Sequence, residues 1–266
     1  MRDPLSPADR AKFIAARGAL SLVESGMKLG LGTGSTANWF VRLLGERIRV
    51  EGIDVVGVAT SSRTADLARK VGIEVMDLDE AGWLDLTVDG ADEVDPALNL
   101  IKGGGGAHLQ EKIVATASDR MVVITDDSKL VPHLGAFPLP VEVIPFGWKA
   151  TKAIIEELLE QILVGGHAVT PRYAGQEMFR TDEGNYILDL HLRQIGDPHR
   201  LSPLLNQVAG VVENGLFLGV ADQVMVGYSS GEVHQMSDGG AMQPAPILDD
   251  IDELAFLMNL VDEQKV

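Results

Sequence analysis

The chain has 266 residues, 45% of them hydrophobic and 23% charged, which suits one large α/β domain with an insertion or two modest domains and gives no sign of disorder or membrane burial. Its net charge of −17 argues against a nucleic-acid or anionic-membrane partner, because both demand a basic face, and the lack of cysteine excludes disulfides, thiolate metal sites and a cysteine nucleophile. No apolar run approaches a membrane span and the first residues lack the apolar stretch of a leader, so the expected location is cytoplasmic.

In chain order, Ser6-Pro7-Ala8-Asp9 reads as a helix start, with Ser6 as N-cap, Pro7 at the first helical position and an acid in the first turn. This helix is expected to end near Ser25-Gly26 and to bury Phe13, Ile14, Leu20 and Val23, with Lys12 near its start. Lys28 to Thr33 reads as a short buried strand entering the turn Gly32-Thr33-Gly34-Ser35-Thr36. A helix follows from about Ala37, with Trp39, Phe40, Leu43 and Leu44 apolar. A strand, a glycine turn with hydroxyls and a helix start together supply what a phosphate needs: free N–H groups, the favourable end of a dipole and hydroxyl donors. The glycine spacing is not that of a dinucleotide fingerprint and no Walker lysine follows. The same residues would also serve a plain tight turn in which Ser35 or Thr36 merely caps the helix.

Ile53–Ala59 is expected as a strand, Ser62–Val71 as a helix stopped by Gly72, and Ile73–Met76 as a further strand, which sets a βαβ rhythm. Leu84–Val88 alternates as a strand and delivers Asp89 and Asp92 to the loop at its carboxyl end, where α/β sheets keep their sites. Lys102 and four glycines, Gly103 to Gly106, come next. Bare backbone of this kind can turn its N–H groups onto an oxyanion while the lysine adds a full positive charge. A helix from Ala107 to about Ser118 carries Glu111 just beyond that cradle. Met121–Thr125 reads as a strand with Asp126-Asp127-Ser128-Lys129 as the loop at its end.

After Pro138 the pattern changes to βα-then-ββα. Pro140–Pro145 is a strand, Lys149–Leu163 a helix with the stripe Ile154, Ile155, Leu158, Leu159 and Ile162, and Ala168–Tyr173 a strand. A hairpin around Asp182-Glu183-Gly184, a strand Tyr186–Leu192 and a helix near Leu201–Val208 complete an α+β insertion. Val211–Phe217 and Asp222–Tyr228 are expected as strands returning to the first domain. The boundaries that result are 1–137 with 209–230, then 138–208, then an extension over 231–266 made of a linker and an acidic helix, Asp249–Val261. That helix carries Ile251, Leu254, Leu257, Met258 and Leu260 as an apolar stripe and is expected to dock on the chain itself or on a second subunit.

Glu111 is the candidate general base, with Lys102 beside it to stabilise developing negative charge. Asp89 and Asp92 lack the companions of a metal site and suit hydrogen bonding to hydroxyls. The six histidines, His108, His133, His167, His191, His199 and His234, show no metal or catalytic spacing and read as structural or solvated.

Together Thr33-Gly-Ser-Thr36, Asp89-Gly-Ala-Asp92, Lys102-Gly-Gly-Gly105 with Glu111, and Asp127-Ser-Lys129 closely resemble the type A ribose-5-phosphate isomerases. Phe137–Pro145 and Thr181–Asp189 extend the resemblance, which runs in order from about Ala11 to Val226. It implies an α/β fold, a Rossmann-like parallel-sheet domain with a smaller inserted α+β, ferredoxin-like domain. It also implies an aldose–ketose isomerase of the pentose phosphate pathway that interconverts D-ribose 5-phosphate and D-ribulose 5-phosphate through a cis-enediolate. No metal or cofactor is implied, and the assembly implied is a homodimer or homotetramer. Glu111 matches the family's base, Lys102 and the loop Gly103, Gly104 and Gly105 its anion cradle, and Asp89 and Asp92 its catalytic acids, which bind hydroxyls and share between them, in an order the resemblance leaves open, the assistance of ring opening and the movement of a proton between O1 and O2. Thr33, Gly34, Ser35 and Thr36 match the phosphate loop, Gly90 and Ala91 adjoin the substrate, and Lys12 and Lys129 match lysines of the pocket. Gly106 stands where the family often has alanine, which suggests a more pliable loop. A sugar-phosphate sensor, which needs no base, and a coenzyme A transferase-like enzyme with a glutamate nucleophile are the alternatives.

Overall fold

A computed structural model describes residues 5–248 together with Phe256. Its centre is an eight-stranded sheet in the spatial order Met242–Pro244, Val233–Met236, Gln223–Gly227, Met121–Asp126, Leu86–Gly90, Lys28–Leu31, Val56–Ala59, Glu74–Val75. The six strands from Gln223–Gly227 to Glu74–Val75 are parallel. Both faces of this sheet are covered, which is why its strands read as near-continuous apolar runs. Along Met121–Asp126, Val122 and Ile124 face the core shared with the helices Pro7–Leu20 and Ser35–Glu51, while Met121 and Val123 face a second cluster containing Val94, Leu100 and Phe217.

The first helix starts as expected, with the Ser6 hydroxyl accepting from the Asp9 N–H and Pro7 in the first turn. It ends at Leu20, well short of Gly26, because the Ser21 hydroxyl turns back onto the Gly18 carbonyl and the chain continues in turns that still bury Val23. The second helix begins at Ser35, two residues earlier than expected, with Gly34 at φ +122 as its N-cap.

A second, four-stranded antiparallel sheet has the order Val211–Asn214, Leu139–Val143, Tyr186–His191, Ala168–Pro171. With the helices Trp148–Leu159 and Pro198–Asn206 it forms the βαββαβ arrangement of a ferredoxin-like unit. Val211–Asn214, expected to return to the first domain, completes this small sheet instead, pairing with Leu139–Val143. The two-residue hairpin falls at Gly175-Gln176, between Tyr173–Ala174 and Glu177–Met178, whereas Asp182–Gly184 forms a separate turn. Of the stripe on the first helix, Ile155 and Leu159 are fully buried but Ile154 is half exposed, since the helix stops at Leu159 and packs one narrow face.

Three short strands were not foreseen as a unit. Glu93–Val94, Leu100–Ile101 and Leu216–Phe217 form a small antiparallel sheet between the two larger ones. The intervening turn is tied by Asp95, which accepts from the N–H groups of Ala97 and Asn99 at 2.9 Å each, and Leu98 adopts φ +57. This hairpin brings Lys102 back beside Asp92, whose N–H donates to the Ile101 carbonyl at 2.8 Å.

The segment after Gly231 is not the linker its composition suggests. Val233–Met236 and Met242–Pro244 are antiparallel edge strands of the main sheet, and the glycines read as linker, Gly239 and Gly240, turn the hairpin at φ +83 and +76. Beyond it, Ile247 and Leu248 pack on the first core, and the Arg17 guanidinium donates to the Leu248 carbonyl at 2.6 Å. The predicted helix Asp249–Val261 lies outside the described residues except for Phe256, which is 5% exposed and stacks on Phe13 with ring centroids 6.0 Å apart. Phe256→Ala is therefore expected to cost about 3–5 kcal/mol of stability, read by urea unfolding; a midpoint unchanged from the wild type would contradict the packing of Phe256 on Phe13.

Candidate active site

At the carboxyl end of the central parallel strands lies a cavity of about 140 Å³. Every site residue predicted from the sequence lines it except Asp89: Lys12, Thr33, Gly34, Ser35, Thr36, Gly90, Ala91, Asp92, Lys102, Gly103, Gly104, Gly105, Glu111 and Lys129.

One end is built for an anion. The helix Ser35–Glu51 opens there with no side-chain cap, so the partial positive charge of its N-terminus is left for a ligand. Lys12, from the first helix, and Lys129, from the short 3-10 turn Asp127–Lys129, stand beside it and make no ion pair among the described residues. Thr33 turns its hydroxyl away into a buried cluster with Thr60, Ser61 and Thr64 at 2.7–3.0 Å, and this cluster anchors the turn. Nothing local announces that cluster beyond ordinary hydroxyls at a helix start.

At the other end the Lys102 ammonium, 2% exposed, donates to the Gly90 carbonyl at 2.5 Å and lies 2.9 Å from Asp89 Oδ2 and 3.4 Å from Glu111 Oε2. Asp89, expected to bind substrate hydroxyls, is withdrawn from the cavity. It is fully buried and accepts from the N–H groups of Thr33 at 3.0 Å and Gly90 at 2.7 Å. The strand carries it one residue further inside than the loop position inferred for it, and Gly32 makes room, since a Cβ there would sit 2.1 Å from its Oδ1. Asp92 does reach the cavity. Its Oδ2 accepts the Gly104 N–H at 2.7 Å, leaving Oδ1 without a protein partner among the described residues.

Burial sets the electrostatics. It pushes the Asp89 carboxyl up, against the opposing pull of Lys102 and the two N–H donors. For Lys102, burial would lower the ammonium, but Asp89 and Glu111 outweigh it and the group ends above its ordinary value. Glu111, 4% exposed, is pushed up to about 8, first by burial and then by the Asp89 charge, with Lys102 opposing. Two carboxylates share one ammonium, and Asp89 has the larger set of donors, so the proton held by the group resides on Glu111. A carboxyl poised near neutrality in this way suits proton abstraction and return. His108, at the start of the same helix, is fully buried and pushed down to about 3, chiefly by burial, in keeping with its structural reading.

The glycine loop is tightly held. Gly103 and Gly106 adopt φ +103 and +81, and the Gly106 N–H closes a turn on the Gly103 carbonyl at 3.0 Å. Gly106 is not a source of pliability, because a Cβ there would lie 2.5 Å from the Phe179 ring. The N–H groups of Gly103 and Gly105 donate to no acceptor among the described residues. Two arginines missed by sequence reasoning hold the carbonyl side: Arg63 donates to Gly105 at 3.3 Å, and Arg172 donates to Gly103 and Gly104.

Residues 56–231 match the sequence profile of ribose 5-phosphate isomerase A (phosphoriboisomerase A). The chain belongs to that family. It is 66% identical over 229 residues to the ribose-5-phosphate isomerase A of Cereibacter sphaeroides (strain KD131), covering 86% of this chain and 87% of the relative. Among solved structures, ribose 5-phosphate isomerase A from Methanocaldococcus jannaschii superposes with a TM-score of 0.78 at 42% identity, over 85% of this chain and 97% of that one. A D-ribose-5-phosphate isomerase in complex with phospho-erythronic acid gives 0.80 at 41% identity, over 87% and 100%. Members of the family interconvert ribose 5-phosphate and ribulose 5-phosphate.

The raised Glu111 value makes a testable statement about stability. Between the ordinary carboxylate value of 4.5 and about 8 the folded state holds a proton that the unfolded chain has lost, so this group subtracts stability as pH rises through that window. Glu111→Gln removes the titration. Its melting temperature relative to the wild type is expected to climb from pH 5 to pH 8 and then level off, whereas a difference independent of pH would place Glu111 in the ordinary carboxylate range.

Proposed function

We propose that this chain isomerises ribose 5-phosphate with Glu111 as the group that moves the proton between C2 and C1, and that the observation carrying this reading is the Lys102 ammonium held between Asp89 and Glu111 at the floor of a cavity whose far end is an anion site. The phosphate sits at the N-terminus of Ser35–Glu51, held by Ser35 and Thr36 and by the charges of Lys12 and Lys129. The sugar, opened to its aldehyde, lies along Asp92 and the glycine loop.

In its carboxylate form Glu111 removes the proton from C2. The electrons of that C–H bond form the C1–C2 double bond, and those of the C1 carbonyl move onto O1. The cis-enediolate that results is stabilised by the free N–H groups of Gly103 and Gly105 and by the Lys102 charge. All three nearest partners of that ammonium belong to the protein, so Lys102 acts through its field and by favouring the ionised form of Glu111 rather than as a proton donor. Asp92 Oδ1 is free to pass the proton from O2 to O1. Glu111 then returns its proton to C1, the O2 electrons close the C2 carbonyl, and ribulose 5-phosphate is released. Asp89 serves behind the site, orienting Lys102 and the Thr33 turn.

The phospho-erythronic acid bound by one relative carries a phosphate at one end and a carboxylate at the other. That pairing copies the two anionic ends required here and supports this substrate class. Because the cradle and Lys102 stand where an electrophile is needed, the reading requires no metal. It includes a homodimer or homotetramer, supported by the exposed Phe146 and Leu163, 89% and 81% accessible. A cytoplasmic location is supported by the charge of a sugar phosphate, which does not cross a lipid bilayer unaided.

Purified protein in excess EDTA is expected to convert ribose 5-phosphate to ribulose 5-phosphate, and Glu111→Gln to lose at least about a hundredfold in kcat. An active Glu111→Gln would remove the base; activity abolished by chelator and restored by a divalent ion would remove the metal-free mechanism.

A further inference from the structure

Arg172 does not line the cavity. It belongs to the small antiparallel unit, at the foot of the hairpin Tyr173–Met178, and its guanidinium divides its donors between two tasks. Nε and one terminal nitrogen form a two-pronged pair with the carboxylate of Asp189, with the Nε contact at 2.9 Å. The other terminal nitrogen donates to the carbonyls of Gly103 at 2.8 Å and Gly104 at 3.1 Å, reaching across to the catalytic loop.

A trans peptide directs its C=O and its N–H to opposite sides. The Gly103–Gly104 peptide is thus fixed at both ends: its oxygen receives Arg172, and its N–H donates to Asp92 Oδ2 at 2.7 Å. The Gly104–Gly105 peptide is fixed at one end only. With the Gly104 oxygen drawn to Arg172, the Gly105 N–H points the other way, and it is one of the two loop N–H groups that find no acceptor among the described residues. Bare glycine leaves these peptides free to rotate, so something outside the loop must choose their direction. Phe179 backs the arrangement, with the guanidinium carbon 5.9 Å from its ring centroid and the ring itself against Gly106.

We infer that Arg172 is a positioning residue of the isomerase: it sets the direction in which the Gly104–Gly105 peptide presents its N–H to the enediolate, and through the Gly103–Gly104 peptide it fixes Asp92. The inference rests on the isomerase reading. Only a planar fork can hold a carboxylate along one edge while donating to two carbonyls from the other nitrogen, so lysine is no substitute. A merely structural ion pair here, with the two side chains 15% and 16% exposed, would contribute to stability and leave kcat alone.

The test is steady-state isomerisation of ribose 5-phosphate by the wild type, Arg172→Ala and Arg172→Lys, with melting temperatures measured alongside. Arg172→Ala is expected to lose about 10- to 100-fold in kcat with KM held within about twofold, because the cradle matters most when the oxyanion forms. Guanidinium ion, added far below unfolding concentrations, is expected to restore part of that kcat, and Arg172→Lys to remain impaired. Retention of kcat within about twofold by Arg172→Ala overturns the inference, as does a loss that guanidinium leaves untouched. If Arg172→Ala does not fold, a folded Arg172→Lys decides: impaired kcat at unchanged KM supports the role and wild-type kcat overturns it. An inactive wild type would overturn the isomerase reading and this inference with it, whereas an active wild type with an indifferent Arg172 strikes the inference alone.

Discussion

The buried ammonium of Lys102 is the constraint around which the site is built. A charge at 2% exposure is tolerated only if it is paired and hydrogen-bonded, and here the strand Leu86–Gly90 supplies the Gly90 carbonyl and Asp89 while the helix His108–Thr116 supplies Glu111. Removing one partner of such an arrangement typically costs about 3–5 kcal/mol. The functional consequence is larger than the structural one. One positive charge shared by two carboxylates leaves a proton on Glu111 near neutral pH, so the burial that endangers stability also tunes the base.

The loops around this centre need equal care, because they consist largely of glycine. Gly32 lets Asp89 approach the Thr33 turn, and Gly103 and Gly106 adopt backbone conformations that other residues avoid. Freedom of that kind becomes precision only when the neighbours take it away. Asp92 and Phe179 do so, along with Arg63 and Arg172, and two of these four come from the small antiparallel unit. The small antiparallel unit thus braces the glycine loop even though none of its residues lines the cavity.

Much of this was legible in the sequence, because local chemistry announces itself. Ser6-Pro7 as a helix start, the alternation before Asp89, the run of glycines after Lys102 and Glu111 at helical distance all have short-range causes. What escaped was long-range. Nothing local says that Asp89 is still within its strand, or that Glu93–Ile101 folds into a hairpin returning Lys102 to Asp92. Val211–Asn214 reads alike for either sheet, and its partner is decided by the edge that Leu139–Val143 leaves open. The glycines after Ser237 have the composition of a linker, and only the pairing of Val233–Met236 with the main sheet makes them a hairpin turn. Arg172 lies 69 and 68 residues from the two glycines it holds, and no spacing rule connects them.

The central claim, that Lys102 and burial together poise Glu111 as the base, is open to direct observation of the carboxyl group. The most direct measurement is a carbon-13 NMR titration of the Glu111 side chain in the wild type and in Lys102→Met. The account predicts a midpoint near the value of about 8 given by burial and Asp89 against Lys102, and a higher midpoint once the ammonium is gone. A wild-type midpoint in the ordinary carboxylate range, or one that Lys102→Met leaves in place, would contradict it.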